Sequence, residues 1–295
     1  MVSSVRSPLP WIGGKFYSAE RILKAFPQPT AYKTFVDVFG GAAHILLAKP
    51  SYKHLEIYND YNKDLVNFWM QCRNHPQELQ QHIDSLPYAR SLYEDWQASL
   101  FDGSAMDDME RAVRWFYVLR SSVGGIIRKS KGNWGYQVDM DNTAKLQGYS
   151  MHRASSLFSA ISERLKNAQI EHKDFEAIIK TYQRPHTLLY CGPPYIDAEF
   201  YYEGVPLFTL DDHKRLARLL NDTPAKVALS YYPHPLIDEL YPTSKWRRFT
   251  WQVHKHAEKT REKRQTATEM LLCNYSAYAQ LWDTTEHDTL RENQE

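Results

Sequence analysis

Short apolar runs alternate with helical stretches along most of the chain, and this alternation predicts an α/β fold. Runs bounded by Gly, Pro or acidic residues predict buried strands at 34–39, 55–60, 188–191 and 226–232. Two further runs, at 246–256 and 269–275, are predicted to close the sheet as an antiparallel pair. Helical patterns occur at 16–25, 45–49, 210–220 and 234–241. We therefore expect a mixed sheet with helices on both faces.

The strand predicted at 188–191 ends in the turn Gly192-Pro193-Pro194-Tyr195. Two successive prolines lack an N–H and cannot continue a ladder, so the chain must leave the sheet here. Open α/β sheets bind their ligands at the carboxyl ends of such strands, and this turn presents an aromatic ring there. The alternative is an ordinary strand-terminating turn whose Tyr195 only packs.

A long segment at 68–165 separates the first strands from this turn. Helical patterns at 76–86, 91–100 and 109–119 make it mainly helical, and from 120 to 136 basic, aromatic and glycine residues interleave. That mixture suits phosphate contacts and readout of base edges. The candidate DNA-binding residues in it are Arg120, Arg128, Lys129, Lys131, Trp134 and Tyr136. The alternative is a solvated charged face, and the embedded Trp134 and Tyr136 favour DNA binding.

Two further basic features are candidates for phosphate contact. The loop at 255–264 contains Lys259 and Arg261, and a surface loop unrelated to DNA is its alternative explanation. The second feature lies near the end of the helical segment, where His152-Arg153 and Arg164-Lys166 are candidates. Residues 283–295 have the composition of a frayed polar tail.

Composition narrows the functional classes. The 295 residues carry a net charge of +1, so any nucleic-acid surface must be a local basic patch. Three cysteines without Cys-x-x-Cys spacing argue against a disulfide framework and a zinc site. No apolar run reaches the roughly 18 residues of a membrane span, and no signal-peptide core is present. We expect a cytoplasmic protein without membrane contact or bound metal, and a monomer.

Two strand-to-helix turns have the chemistry of a nucleotide site. Small residues follow Phe39, and Asp37 and Asp60 end the two neighbouring strands. Small residues let a cofactor lie against the backbone, and a strand-end acid suits a ribose hydroxyl pair. A Gly-Gly-Lys loop at 13–15 suits an anionic or zwitterionic ligand, although such loops are equally often structural. Together these features favour a nucleoside-containing cofactor.

The order of these motifs resembles that of the DNA adenine-N6 methyltransferases of the D12 class, the Dam-like alpha order, especially phage and prophage members. The Pro-Trp-x-Gly-Gly-Lys loop matches residues 10–15, and the Phe-x-Gly-x-Gly turn matches 39–43 with Ala43 in place of the last glycine. Asn59-Asp60 matches the ribose-binding acid, and Asp174 matches the acid that holds the adenine amino group. The resemblance extends to about residue 281.

This resemblance implies a Rossmann-like, S-adenosylmethionine-dependent methyltransferase acting on double-stranded DNA without a metal. The expected catalytic domain comprises 1–67 and 166–282, and 68–165 is the expected target-recognition domain. A flipped adenine would stack on Tyr195, while the motif's Asp and the carbonyl of Pro193 accept its amino hydrogens. The implied cofactor-binding residues are Trp11, Gly14, Lys15, Asp37, Phe39, Gly41, Ala43, Asp60, Asp174 and Phe175.

One departure from the family falls in the catalytic motif, where Asp-Pro-Pro-Tyr is replaced by Gly192-Pro193-Pro194-Tyr195. Glycine removes the carboxylate acceptor, so we expect impaired methyl transfer. Either the chain is an engineered inactive form, or it is a natural member that binds without methylating. A methyltransferase acting on RNA or a small molecule is a further alternative, and the basic residues near Trp134 favour DNA.

Overall fold

The computed structural model describes residues 5–130, 133–135, 147–196, 206–254 and 266–276. Seven strands form one sheet: β1 (Thr34–Asp37), β2 (Leu55–Asn59), β3 (Ala168–Glu171), β4 (Thr187–Cys191), β5 (Lys226–Tyr231), β6 (Arg247–His254) and β7 (Thr266–Cys273). Their order is β3-β2-β1-β4-β5-β7-β6. The first five strands are parallel, whereas β7 runs antiparallel to β5 and β6. The predicted mixed sheet and its closing antiparallel pair are confirmed.

Eleven α-helices lie in the described residues. They are α1 (Ala19–Ala25), α2 (His44–Ala48), α3 (Lys63–Asn74), α4 (Pro76–Asp84), α5 (Arg90–Ser99), α6 (Asp108–Ser121), α7 (Gln147–Ser155), α8 (Phe158–Leu165), α9 (Phe175–Tyr182), α10 (Leu210–Asp222) and α11 (Pro235–Leu240). The helix expected from residue 16 begins at Ala19, because 16–18 form a turn. The other predicted helix ends agree within about two residues.

Helices cover both faces of the sheet, which explains why its central strands are apolar throughout. One hydrophobic cluster joins Phe35 and Leu188 to residues of α1, α2, α3, α6 and α8. The other joins Val36 and Leu189 to residues of α9, α10 and α11. Alternate residues of β1 and β4 therefore face different clusters, as the twofold period of a strand requires.

The helical segment shares a core with the sheet. Phe68 of α3 stacks on Phe116 of α6 with ring centroids 5.2 Å apart, and both belong to the same cluster as Phe35. The domain boundary expected between residues 67 and 68 falls inside α3. A separate recognition domain at 68–165 stays a prediction.

A buried ion cluster ties this helical segment to the sheet. Glu56 on β2 accepts hydrogen bonds from Lys49 at 2.7 Å and from Arg164 at 2.6 and 3.0 Å. Arg164 also donates to the carbonyl of Leu46, and it is only 4% exposed. The suggested phosphate contact of Arg164 is therefore wrong, because its guanidinium is consumed inside the protein. Sequence position near a basic segment could not reveal this burial.

We expect Glu56→Gln to lower the free energy of unfolding by about 3–5 kcal/mol, because it leaves two buried cations without their counter-charge. Urea unfolding followed by circular dichroism measures this difference. Glu78→Gln is the matched control, since the Glu78 side chain is 57% exposed. A loss below about 1 kcal/mol at Glu56 would show that the cluster does not hold the helical segment on the sheet.

Candidate functional site

The carboxyl ends of β1, β2 and β4 meet at one edge of the sheet and border a cavity of about 210 Å³. Eight residues predicted from the sequence line it: Trp11, Phe39, Gly41, Asp60, Asp174, Phe175, Gly192 and Pro194. Six others that were predicted, Gly14, Lys15, Asp37, Ala43, Pro193 and Tyr195, are not among the lining residues. The cavity thus brings together four stretches of the chain, at residue 11, 39–60, 174–175 and 192–194.

The turn after β1 contains two of the expected cofactor-binding residues, Gly41 and Ala43. Gly41 and Ala43 both have positive φ, at 49° and 55°. A Cβ on Gly41 would lie 3.0 Å from the Trp11 indole nitrogen, so glycine serves close approach as well as backbone conformation. Ala43, in place of the family's last glycine, holds the left-handed conformation just before α2. This conformation is less favourable for alanine than for the glycine of the family motif.

Asp60 links the ends of β1 and β2. Its Oδ2 accepts the amide of Gly41 at 2.8 Å, and its Oδ1 accepts the amide of Asn62 at 2.8 Å. Burial raises the pKa of Asp60, and these two amides oppose that shift. Each oxygen keeps a lone pair for a further donor, so the carboxylate can also accept ligand hydroxyls.

Three aromatic rings and an acidic group line another part of the cavity. The rings of Phe39, Phe175 and Phe208 lie 5.5–5.7 Å from one another. Asp174 caps α9 through the amide of Glu176 and accepts a 3.0 Å hydrogen bond from Arg215. Arg215 also lies 4.2 Å above the Phe175 ring.

Sequence reasoning missed Phe208 and Arg215, although both line the cavity. Phe208 lies just before the start of α10 and Arg215 lies within this helix, both far along the chain from Asp174. A capping box at Thr209 fixes that start, and it was the available signal. The sequence pattern predicts the helix at 210–220, but nothing in the sequence indicates which cavity the start of this helix faces.

Asp37, at the end of β1, is a buried carboxyl group with 1% exposure. Neither oxygen accepts a hydrogen bond of good geometry from the described residues, and the Leu46 amide is a weak neighbour only. Burial, followed by the negative charge of Asp60, raises the pKa of Asp37 to about 8, and the Leu46 amide opposes this only in part. A buried carboxyl without partners destabilises a fold, so its presence points to a ligand that supplies the missing donor or charge.

The turn at residues 192–195, which we name the catalytic turn after its expected role, leaves β4 without requiring glycine. Gly192 has no positive φ. A Cβ placed there would meet Tyr190 Oη at 3.4 Å, Cε1 at 3.7 Å and Cζ at 3.8 Å, which are ordinary contacts. The fold at Gly192 therefore accepts a larger side chain.

Tyr195 follows with its ring buried and its hydroxyl donating to Glu269. The ammonium of Lys15 lies 4.5 Å from the ring centroid and 3.5 Å from Glu269 Oε1. Burial and the charge of Glu269 raise the pKa of the Tyr195 hydroxyl well above its ordinary value, so it stays protonated. Lys15 therefore lies beside the catalytic turn rather than in the cavity wall.

The loop at 10–15 folds as a tight turn in which the Gly14 amide donates to the Trp11 carbonyl at 3.0 Å. A Cβ on Gly14 would come within 2.8 Å of that carbonyl and of the His44 ring. Close packing against α2 therefore explains this glycine.

Comparison with known proteins agrees with these motifs. A model of the D12 class N6 adenine-specific DNA methyltransferases matches residues 11–261, which is most of the chain. The chain belongs to this family. The D12-class chain is also similar to the Type II methyltransferase M1.LlaDCHI of Lactococcus lactis subsp. cremoris, with 28% identity over 290 residues that cover 90% of this chain and 94% of that protein.

Two viral proteins show the same likeness to this D12-class chain. The DNA N-6-adenine-methyltransferase of Escherichia phage P1 is 26% identical over 262 residues, covering 82% of this chain and 32% of the phage protein. The Type II methyltransferase M.CviBI of Paramecium bursaria Chlorella virus NC1A is 23% identical over 242 residues, covering 78% and 84% of the two chains. The expected family is confirmed.

The candidate DNA-binding residues of this D12-class chain fall into three groups. Arg128 and Lys129 are exposed. Arg120 and Trp134 are engaged within the protein: Arg120 donates to the carbonyls of Pro8 and Ser150, and Trp134 stacks on Tyr88 with Arg90 4.6 Å from its ring. Lys131, Tyr136, Lys259 and Arg261 lie outside the described residues.

Within the described ranges, no helix of this D12-class chain is long and apolar enough to cross a membrane. The same ranges contain no group of three or more His, Cys, Asp or Glu side chains arranged to hold a metal ion.

We expect Asp37→Asn to stabilise the protein by on the order of 3 kcal/mol at pH 8.5, and by much less at pH 5. Folded Asp37 keeps its proton up to about pH 8, whereas an unfolded aspartic acid loses it near pH ~4. Between these values the unfolded state binds fewer protons, so the free energy of unfolding falls as pH rises, and asparagine removes that loss.

Urea unfolding of both proteins at the two pH values measures the effect. Asp211→Asn, at a side chain that is 94% exposed, is the control and should differ from the parent equally at both pH values. A stability difference at Asp37 that does not grow with pH would mean that this carboxyl is not held protonated in the fold.

Proposed function

We propose that this chain binds S-adenosylmethionine in the described cavity and is built to transfer a methyl group to N6 of an adenine in duplex DNA. One observation carries the proposal. Gly192 and Pro194 of the catalytic turn line the same cavity as Asp60, Phe39 and Asp174. One end of a cofactor bound by Asp60, Phe39 and Asp174 would therefore lie beside the turn that is proposed to receive the base.

The residues at this edge fit S-adenosylmethionine. The rings of Phe39 and Phe175 suit the faces of an adenine, and Asp174 suits its amino group. Asp60 is placed for the ribose hydroxyls, and the unpartnered Asp37 suits the α-ammonium group of a methionine moiety. When bound, the cofactor supplies an electrophilic methyl group.

The protein's own contribution to the reaction is orientation. An adenine must leave the duplex before its N6 can meet a methyl donor. Tyr195 offers a ring for stacking, and the carbonyl of Pro193 can accept one amino hydrogen. A carboxylate at position 192 would accept the other and direct the nitrogen lone pair outward. Gly192 supplies no such acceptor, so we infer that the chain binds its ligands and transfers the methyl group poorly.

A second candidate function is occupation of DNA, or sensing of the cofactor, without methyl transfer. Gly192 is the observation that favours it. The local geometry does not demand glycine at this position, so the missing carboxylate is not explained by the fold. The Gly192→Asp substitution, which restores the acid of the family motif, distinguishes methyl transfer from binding alone.

We expect Gly192→Asp to raise the rate of tritiated-methyl transfer to plasmid DNA by at least about 100-fold, because it restores a preorganised acceptor for the amino group. Gly192→Ala is the matched control, since it stiffens the turn without adding a carboxylate. Calorimetry should give the same cofactor affinity for all three proteins. Equal rates for Gly192→Asp and the parent would contradict the proposed role of this position. If none of the three proteins binds S-adenosylmethionine, the proposed cofactor site is wrong.

The DNA part of the proposal predicts a salt dependence. Duplex affinity should fall steeply with salt, and Arg128→Gln and Lys129→Gln should each reduce the slope of log K against log salt by about one unit. Filter binding on one duplex at four salt concentrations measures the slopes. Arg184→Gln is the control, because it precedes β4 at the opposite edge of the sheet. Unchanged slopes at Arg128 and Lys129 would remove these residues from the interface.

A further inference from the structure

Glu269 is a buried acid that no sequence motif indicated. It lies on β7 and is 3% exposed. Its neighbour Met270 pairs with Tyr231 at the carboxyl end of β5, so Glu269 lies at the same edge as the cavity. A fully buried carboxylate at this edge requires partners.

Its partners come from the two motifs that flank the site. The Tyr195 hydroxyl of the catalytic turn donates to Glu269 Oε1, and the Lys15 ammonium of the Gly-Gly-Lys loop lies 3.5 Å from the same oxygen. Lys15 also lies 4.5 Å from the Tyr195 ring centroid. Lys15, Tyr195 and Glu269, which we call the Glu269 cluster, therefore contact one another pairwise.

The cluster restrains the ring of Tyr195. A hydrogen bond to an ionised acceptor is about twice as strong as a neutral one, so the hydroxyl end of the ring is anchored. Lys15 is held by Glu269 and by a 2.7 Å hydrogen bond to the Gly13 carbonyl. Loss of the Glu269 charge would weaken the hold on the ammonium and on the ring, and loss of the whole side chain would release the ring.

We propose that Glu269 is a positioning residue that fixes the Tyr195 ring, and the Lys15 ammonium beside it, for stacking of the target base. The proposal rests on the proposed function of Tyr195. Glu269 acts through Tyr195 and Lys15, and it does not itself contact the base. The competing explanation is a buried ion pair that only stabilises the sheet, and it makes different predictions.

In the Gly192→Asp protein, two substitutions at position 269 separate the effect of the contact with Lys15 from that of the contact with Tyr195. Glu269→Gln keeps an acceptor for the Tyr195 hydroxyl but loses the charge that holds Lys15, so kcat should fall about 3–10-fold. Glu269→Ala removes both contacts, and kcat should fall about 30–100-fold. The KM for S-adenosylmethionine should stay within about twofold in both. Glu163→Gln, at an exposed pair on α8, is the control.

A double variant tests whether Glu269 acts through the tyrosine. Tyr195→Phe combined with Glu269→Ala should be clearly less impaired than the product of the two single effects, because both remove the same hydrogen bond. Multiplicative effects would overturn the proposal. An equal rise of the KM for S-adenosylmethionine and fall of kcat would also overturn the proposal, because a purely structural role of Glu269 predicts that result.

Base capture tests the inference without methyl transfer. A duplex with a bulged 2-aminopurine presents an extrahelical base, whose fluorescence changes when it stacks on an aromatic ring. The parent chain should bind it at least about fivefold more tightly than Glu269→Gln, while an unbulged duplex binds both equally. Equal binding of the bulged duplex would overturn the role of Glu269. Dependence of capture on Glu269, together with an inactive Gly192→Asp protein, would refute methyl transfer but retain this role.

Discussion

The hydrogen bond between Asp60 Oδ2 and the Gly41 amide is the contact on which the site geometry depends. It joins the end of β2 to the turn after β1, and the second oxygen of Asp60 fixes the Asn62 amide at the start of α3. Two strand ends and one helix start are thereby set by a single carboxylate. The parallel ladder between β1 and β4 then sets the position of these ends relative to the turn after β4.

Three buried acids show how the same residue chemistry serves stability or function according to its partners. Glu56 is satisfied by Lys49 and Arg164 and lies away from the cavity edge. Glu269 is satisfied too, but its partners belong to the catalytic turn and to the loop at 10–15. Asp37 accepts no hydrogen bond of good geometry from the described residues. An unsatisfied buried acid costs stability, which natural proteins retain where a ligand uses it.

The departure from the family motif at Gly192 is local. Gly192 has an ordinary backbone conformation, and the neighbouring Tyr190 leaves room for a Cβ. Pro193 and Tyr195 remain buried at the turn, and the cavity beside them retains its aromatic and acidic lining. The arrangement that would orient a base is therefore separable from the carboxylate that would activate it.

The sequence by itself determined the class of fold, six of the seven strands and eight of the eighteen residues that line the cavity. Strand-end acids such as Asp60 and turns such as 39–43 carry local signals, because glycine, proline and acidic residues have strong backbone and charge preferences. Membership of the D12 class followed from the same local motifs.

Only the tertiary structure decided which side chains meet. Phe208 reaches the site from just before α10, Arg215 from α10 and Glu269 from β7, and no motif near them in the chain indicates that they line or flank the cavity. Arg164 and Arg120 belong to basic stretches, yet burial directs them to internal carbonyl or carboxylate groups. The sequence shows that a residue is charged, but it does not show which group that side chain contacts. This partner is set by the packing of elements that are distant along the chain.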